Sequence, residues 1–235
     1  MNMRRTFQKR GLIVSCQALP HEPLHGAEMM KRMAVAAQQG GAVGIRANGA
    51  QDIRAIKEAV DIPVIGIIKR DIPGSSIYIT PELQDVRAIL EAGADIVALD
   101  MTNREDRLSK VKEMIDFIHA AGAQVMADIS VLEEGLAAER LGSDIISTTL
   151  SGYTPYSPQQ AGPDLELVKK LSEAVSVPIA AEGRIRSERE AAQAMELGAS
   201  YVVVGAAITR PQCIAKRFAD YIEERLHACP SAGNG

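Results

Sequence analysis

Six short apolar runs in this chain end on residues able to do chemistry. The first runs into Ser15-Cys16-Gln17, the second into Arg46 and the third into Lys69-Arg70-Asp71. The others end at Asp100, Asp128 and Glu182-Gly183-Arg184. Ionisable groups gathered where apolar strands stop cost desolvation that a purely structural role would avoid, so together they read as a catalytic mouth. Lys69 and Glu182 lead, because neither is followed at once by a helix start that would make it a cap. Arg46 joins them as a charge closing an apolar strand. Asp100 and Asp128 keep two readings, function or structural pairing, since Asp is a favoured cap and turn residue.

Two further segments read as an anion cradle. Gly183-Arg184 follows the seventh run, and Gly205-Ala206-Ala207-Ile208-Thr209-Arg210-Pro211 follows the eighth, ending on a proline suited to the first position of a helix. Small residues let backbone N–H groups approach a phosphate, a helix N-terminus adds a favourable dipole, and Arg184 or Arg210 supplies a counter-charge. There is neither a Gly-x-Ser-x-Gly elbow nor a dinucleotide Gly-x-Gly-x-x-Gly, so serine hydrolysis and nicotinamide chemistry have no foothold. His21, His25, His119 and His227 form no histidine–carboxylate cluster at strand ends, and no metal is expected.

The elements that must position these groups repeat along the chain. Short β-branched runs alternate with longer segments of helical periodicity, the pattern of parallel strands joined by crossover helices. Strands are expected at Gly11–Cys16, Ala42–Arg46, Val64–Lys69, Asp95–Asp100, Gln124–Asp128, Asp144–Thr148, Pro178–Glu182 and Tyr201–Gly205. Gly93, Gly122, Gly142 and Gly198 each stand just ahead of a strand, where a glycine ends the preceding helix. Val60-Asp61-Ile62-Pro63-Val64-Ile65 is echoed by Val175-Ser176-Val177-Pro178-Ile179-Ala180, leading into the third and seventh strands. Eight equal units favour an α/β fold of one domain, a closed (β/α)8 TIM barrel over residues 1–229, over an open doubly wound sheet. Residues 230–235 read as a disordered tail.

Composition narrows the partners. A chain of 235 residues, 46% hydrophobic, with net charge −4, builds a sizeable core and presents no broad nucleic-acid footprint. Cys16, Cys213 and Cys229 have no metal-type spacing and suit a reducing cytoplasm. No apolar run is long enough for a membrane span. Ser151–Pro163 is the longest loop at the mouth, and the last helical segment, Ile214–Leu226, is apolar enough to support a homodimer.

The strand-end residues also resemble a known family. Ile13-Val14-Ser15-Cys16-Gln17-Ala18-Leu19 with Glu22-Pro23-Leu24-His25 is similar to the opening of the N-acylmannosamine-6-phosphate 2-epimerases of bacterial sialic-acid catabolism. The likeness continues through Gly44-Ile45-Arg46-Ala47-Asn48-Gly49, Ile67-Ile68-Lys69-Arg70-Asp71, Ala127-Asp128-Ile129-Ser130, Thr148-Thr149-Leu150-Ser151-Gly152-Tyr153-Thr154, Ala181-Glu182-Gly183-Arg184 and the Gly205–Pro211 segment. It implies a (β/α)8 barrel that needs no cofactor and inverts C2 of N-acetylmannosamine 6-phosphate. By that likeness Lys69 and Glu182 are catalytic, and Gln17, Arg46 and Asp128 hold the sugar. By the same likeness Gly183, Gly205 and Arg210 lie near the phosphate, beside Arg184 of the cradle read above. A lysine serves as base only when neutral, and burial beside Arg46 or Arg70 would depress its pKa. Two other readings stand beside this one: a metal-dependent phosphate barrel with Asp71, Asp100 and Asp128 as ligands, and a sugar-phosphate-binding barrel without turnover.

Overall fold

The computed structural model describes residues 4–228; the expected tail and Cys229 lie outside them. Each β-branched run forms a strand: β1 (Gly11–Cys16), β2 (Gly44–Asn48), β3 (Val64–Ile67), β4 (Ile96–Asp100), β5 (Gln124–Asp128), β6 (Ile145–Ser147), β7 (Ile179–Glu182) and β8 (Tyr201–Val204). Helices α1 (Ala27–Gln39), α2 (Ala50–Lys57), α3 (Leu83–Glu91), α4 (Arg107–Ala120), α5 (Leu132–Leu141), α6 (Leu165–Ala174) and α7 (Glu188–Glu196) connect them. A single turn, α8 (Ala206–Thr209), and the long α9 (Pro211–Ala228) follow β8, where one helix was expected.

All neighbours are parallel, and β1 pairs with β8 through Gly11↔Tyr201 and Val14↔Val204, which closes the ring. The expected TIM barrel is therefore present, with β3 opposite β7. Gly93, Gly122, Gly142 and Gly198 all have positive φ, as helix-ending glycines ahead of a strand should. At Gly198 the lack of a side chain is also steric, since a Cβ there would fall 2.4 Å from Ser172 Cβ.

Strand alternation splits the apolar side chains between two cores. Ile13, Ile65, Ile67, Ile96, Met126, Tyr201 and Val203 fill the barrel interior, while Ile45, Val64, Val97, Leu99 and Val125 face the helices. The N-terminal segment closes the floor: the Phe7 ring lies 4.3 Å from that of Tyr201 and occupies the space a Cβ on Gly44 would need. Arg5 N–H donates to the buried Asp95 carboxylate (2.8 Å), which also holds Lys57 Nζ (2.6 Å) and Val64 N–H (2.8 Å). With the floor plugged by aromatic rings and ion pairs, the opposite rim is the end left for a ligand.

Strands β2 and β3 differ from expectation by two residues at an end, and β4, β6, β7 and β8 by one. β3 stops at Ile67, because Thr80 N–H donates to Ile68 O and Lys69 N–H donates to the Asn48 side chain, taking both residues out of the ladder. β2 begins at Gly44 and runs on to Asn48, so Arg46 sits below the rim and points into the barrel.

Candidate active site

Arg46 organises the mouth. Its side chain is 1% exposed, and its guanidinium reaches across the barrel to two carboxylates. Nη2 and Nη1 donate to Asp128 Oδ2 (2.5 Å) and Oδ1 (2.9 Å), a fork on the end of β5, while Nη1 also donates to Glu182 Oε2 (3.0 Å) on β7. Met126 packs beneath, its sulfur 3.4 Å from Nη1. Burial opposes the Arg46 charge, but Asp128 and Glu182 outweigh it and hold its pKa above the ordinary arginine value.

Lys69, two residues beyond β3, stands opposite. An isolated antiparallel bridge to Ile79 and the bond from its N–H to Asn48 Oδ1 (2.8 Å) fix its backbone. Its ammonium group has no hydrogen-bond or ion-pair partner among the described residues. Burial, then the nearby Arg46 and Arg210 charges, hold its pKa below that of an ordinary lysine, against the pull of Glu182 and Asp128. Glu182 moves the other way: burial and the neighbouring Asp128 push its carboxyl pKa up, against Arg46 and Lys69. A lysine eased toward neutrality thus faces a carboxyl eased toward protonation, the combination proton transfer at neutral pH requires.

Of the two cations considered as neighbours of Lys69, only Arg46 fills the part. Arg70 turns outward to α3, where Nε meets Asp85 Oδ1 (2.8 Å) and Nη2 meets Glu82 Oε2 (2.6 Å). Asp100 is likewise structural: Thr102 N–H (3.0 Å), Thr102 Oγ1 (2.7 Å) and Arg104 Nη2 (2.6 Å) all donate to it.

Gln17 lies just past β1, its Nε2 donating to Ser15 Oγ (2.8 Å). Its Oε1 is buried without a partner, as is Arg46 Nε, so one acceptor and one donor remain unsatisfied at the mouth. At the proposed phosphate end, Gly205 caps α8, and Arg210 pairs with Glu22 of the loop after β1 (3.0 Å). Gly183 (φ 109°) and Arg184 (φ 57°) both take left-handed conformations. The Arg184 guanidinium is occupied, however: it donates to Gly162 O (2.8 Å) and Ser151 O (2.6 Å) and lies over the Tyr153 ring. Gly152 makes room for it, since a Cβ there would fall 2.3 Å from Nη1. Arg184 therefore ties down the Ser151–Pro163 loop.

The hydroxyls at the end of β6 were given no role from the sequence. Thr149 Oγ1 lies 2.7 Å from Asp128 Oδ1, 3.1 Å from Glu182 Oε2 and 2.8 Å from Ser147 Oγ. Thr148 bridges to the Glu182 backbone, its hydroxyl donating to Glu182 O (2.9 Å) and accepting from Glu182 N–H (3.0 Å). The run of three hydroxyls at 147–149, closing an apolar strand, was the available signal.

Residues 30–224 match the family model described as "Putative N-acetylmannosamine-6-phosphate epimerase". The chain belongs to the N-acetylmannosamine-6-phosphate epimerase family. Members named as 2-epimerases of that sugar phosphate are similar over nearly their whole length. One from Clostridium perfringens is 53% identical over 216 residues, covering 92% of this chain and 98% of the relative. Another, from Caldanaerobacter subterraneus, is 54% identical over 228 residues, covering 94% of each. A solved structure of the N-acetylmannosamine-6-phosphate 2-epimerase from Clostridium perfringens superposes with a TM-score of 0.86 at 53% identity, covering 89% of this chain and 92% of the other.

Proposed function

We propose that this chain inverts C2 of N-acetylmannosamine 6-phosphate, giving N-acetylglucosamine 6-phosphate, by removing and returning a proton with no cofactor. The observation that carries the reading is the Lys69–Arg46–Glu182 arrangement, in which base and acid are tuned in opposite directions across one mouth. In the open-chain sugar the aldehyde acidifies the C2 hydrogen, so neutral Lys69 removes it, an enolate forms, and a proton added to the opposite face of C2 gives the epimer while the Lys69 proton is lost to solvent. Glu182 moves a proton between the anomeric hydroxyl and the ring oxygen, which opens the ring and exposes that aldehyde. Gln17 Oε1 and Arg46 Nε, both unsatisfied, accept from and donate to the sugar, and the Arg46 charge favours the developing enolate. Asp128 holds the Arg46 fork in place. Backbone N–H groups from Gly183, Arg184 and Gly205, with the Arg210 charge, hold the phosphate and keep C2 in register.

Proton NMR in D2O containing EDTA tests this. The expected result is conversion of N-acetylmannosamine 6-phosphate to its glucosamine epimer with deuterium at C2. Binding without conversion or exchange would leave only a sugar-phosphate-binding barrel, and activity lost to EDTA would return the metal-dependent reading.

The proposed location is the cytoplasm, where the thiols of Cys16 and Cys213 stay reduced; no helix among the described residues is long and apolar enough to cross a membrane. The proposed assembly is a homodimer through α9. Phe218, Tyr221, Ile222 and Leu226 on that helix are all more than half exposed, and an apolar groove lined by Leu12, Met195, Val202 and Ile208 lies open beside α7 and α8. One chain leaves both surfaces uncovered, and a second copy brings an apolar match for each. Light scattering should give twice the 25.2 kDa chain mass, and the paired change Phe218→Lys and Leu226→Lys should halve it.

A further inference from the structure

One hydroxyl hydrogen at the mouth serves two carboxylates. Thr149 Oγ1 is 2.7 Å from Asp128 Oδ1 and 3.1 Å from Glu182 Oε2, and a threonine hydroxyl donates only once. Ser147 Oγ lies 2.8 Å from its oxygen, and with Ser147 as the donor of that pair the Thr149 hydrogen is left for one carboxylate or the other. Ser147 Oγ also reaches Glu182 Oε2, but at 3.5 Å it is the more distant and weaker donor.

We propose that Thr149 is a positioning residue whose hydrogen follows the charge on Glu182. While Glu182 carries its proton, the hydrogen rests on Asp128, the nearer and fully ion-paired acceptor. When Glu182 passes that proton to the sugar oxygen, its carboxylate becomes the stronger acceptor and the Thr149 hydrogen turns to Oε2. Asp128 gives up one donor and keeps the two bonds of the Arg46 fork. No covalent bond of Thr149 breaks. The rotation supplies a donor when negative charge appears in a buried place, where an unmet carboxylate is costly.

Around Glu182, β2 contributes Arg46, the segment after β3 contributes Lys69, and β5 contributes Asp128. β6 and the residues after it contribute only the hydroxyls of Ser147, Thr148 and Thr149, and Val203 is the β8 neighbour. Arg46 stays bonded to both carboxylates in either state, so Thr149 is the donor free to change partner. The hydroxyl therefore favours the ionised form of Glu182 against burial, and its loss should make that form harder to reach.

The inference rests on the epimerase reading for its catalytic consequence, but its hydrogen-bond content can be read without substrate. In protein labelled with 13C at glutamate carboxyls, the Glu182 signal is assigned by its loss in Glu182→Gln, and its titration is compared in wild type, Thr149→Val and Thr149→Ser. The valine matches threonine in shape and the serine restores the hydroxyl. The expected result is a Glu182 midpoint about one pH unit higher in Thr149→Val than in wild type, returned by Thr149→Ser. In turnover, Thr149→Val should lower kcat roughly tenfold with KM unchanged, and Thr149→Ser should recover most of it. An unmoved or lowered midpoint in a folded Thr149→Val protein overturns the proposal, as does unchanged kcat in that variant. A raised midpoint in a protein that never converts the sugar would uphold the hydroxyl's role and sink the epimerase reading instead.

Discussion

Lys69→Ala is expected to abolish both epimer formation and deuterium uptake at C2, with a loss of at least about a thousandfold in kcat and an intact barrel. The sharper variant is Lys69→Arg, which keeps a cation near the same place but cannot become neutral; it should be as inactive as the alanine. Retained exchange in either variant would show that another group removes the C2 proton. The pH dependence follows from the directions of the two shifts. Lys69, held below the ordinary lysine value, loses its proton at lower pH than a free lysine, so kcat rises with pH through that transition. Glu182, held above the ordinary carboxyl value, keeps its proton longer, and kcat falls as it ionises. The profile is therefore bell-shaped, falling on the acid side and on the alkaline side of the range where neutral Lys69 and protonated Glu182 coexist. Stability gives an independent check. Because the folded state binds the Lys69 proton less tightly than the unfolded chain, stability attributable to this group rises with pH from the folded pKa to the unfolded one. Lys69→Met, which removes a partly buried charge with no ion-pair partner among the described residues, should melt no lower than wild type at neutral pH while being inactive. Catalytic power here opposes stability.

Much of this arrangement is legible in the sequence, and the failures have physical reasons. The eight strands announce themselves because a parallel barrel strand is covered on both sides and reads as an apolar run. Lys69 and Glu182 stand out because charge at the end of such a run has no cheap structural use. What sequence pattern does not encode is the partner. Arg46 on the second strand and Arg70 after the third both stand near Lys69 in the pattern, and only the fold shows that Asp85 on α3 and Glu82 just before it draw Arg70 away. Arg184 sits in a glycine turn suited to an anion, yet its reach is long enough for its guanidinium to find the Gly162 and Ser151 carbonyls of the neighbouring loop. Asp100 and Asp128 occupy equivalent positions on adjacent strands, paired in register, but one meets its own loop and the other meets Arg46 across the barrel. Thr149 carries no charge and follows a strand of three residues, so its significance depends on two carboxylates far away in sequence.

The Arg46 network should have the largest effect on the fold. Arg46→Met leaves Asp128 at 0% exposure and Glu182 at 15% with no opposing guanidinium, so two carboxylates share one buried space. Breaking a buried pair by removing one partner costs about 3–5 kcal/mol, and urea unfolding should register a loss of that size. Activity should fall for two further reasons. Arg46 holds the Glu182 pKa down and the Lys69 pKa down, so its removal pushes both up. The acidic limb of the pH profile then moves to higher pH, and less Lys69 is neutral where the enzyme works. Arg46→Lys should rescue little, because one ammonium group cannot fork onto both Asp128 oxygens and still reach Glu182. The double change Arg46→Met with Asp128→Leu separates structure from chemistry: it removes the stranded carboxylate together with its partner, and part of the lost stability should return. Turnover should not return with it. If the double variant regained both, the guanidinium would be a structural strut with no part in tuning Lys69; recovery of stability alone would mean that the barrel tolerates an apolar interior here and keeps the ion network for the reaction.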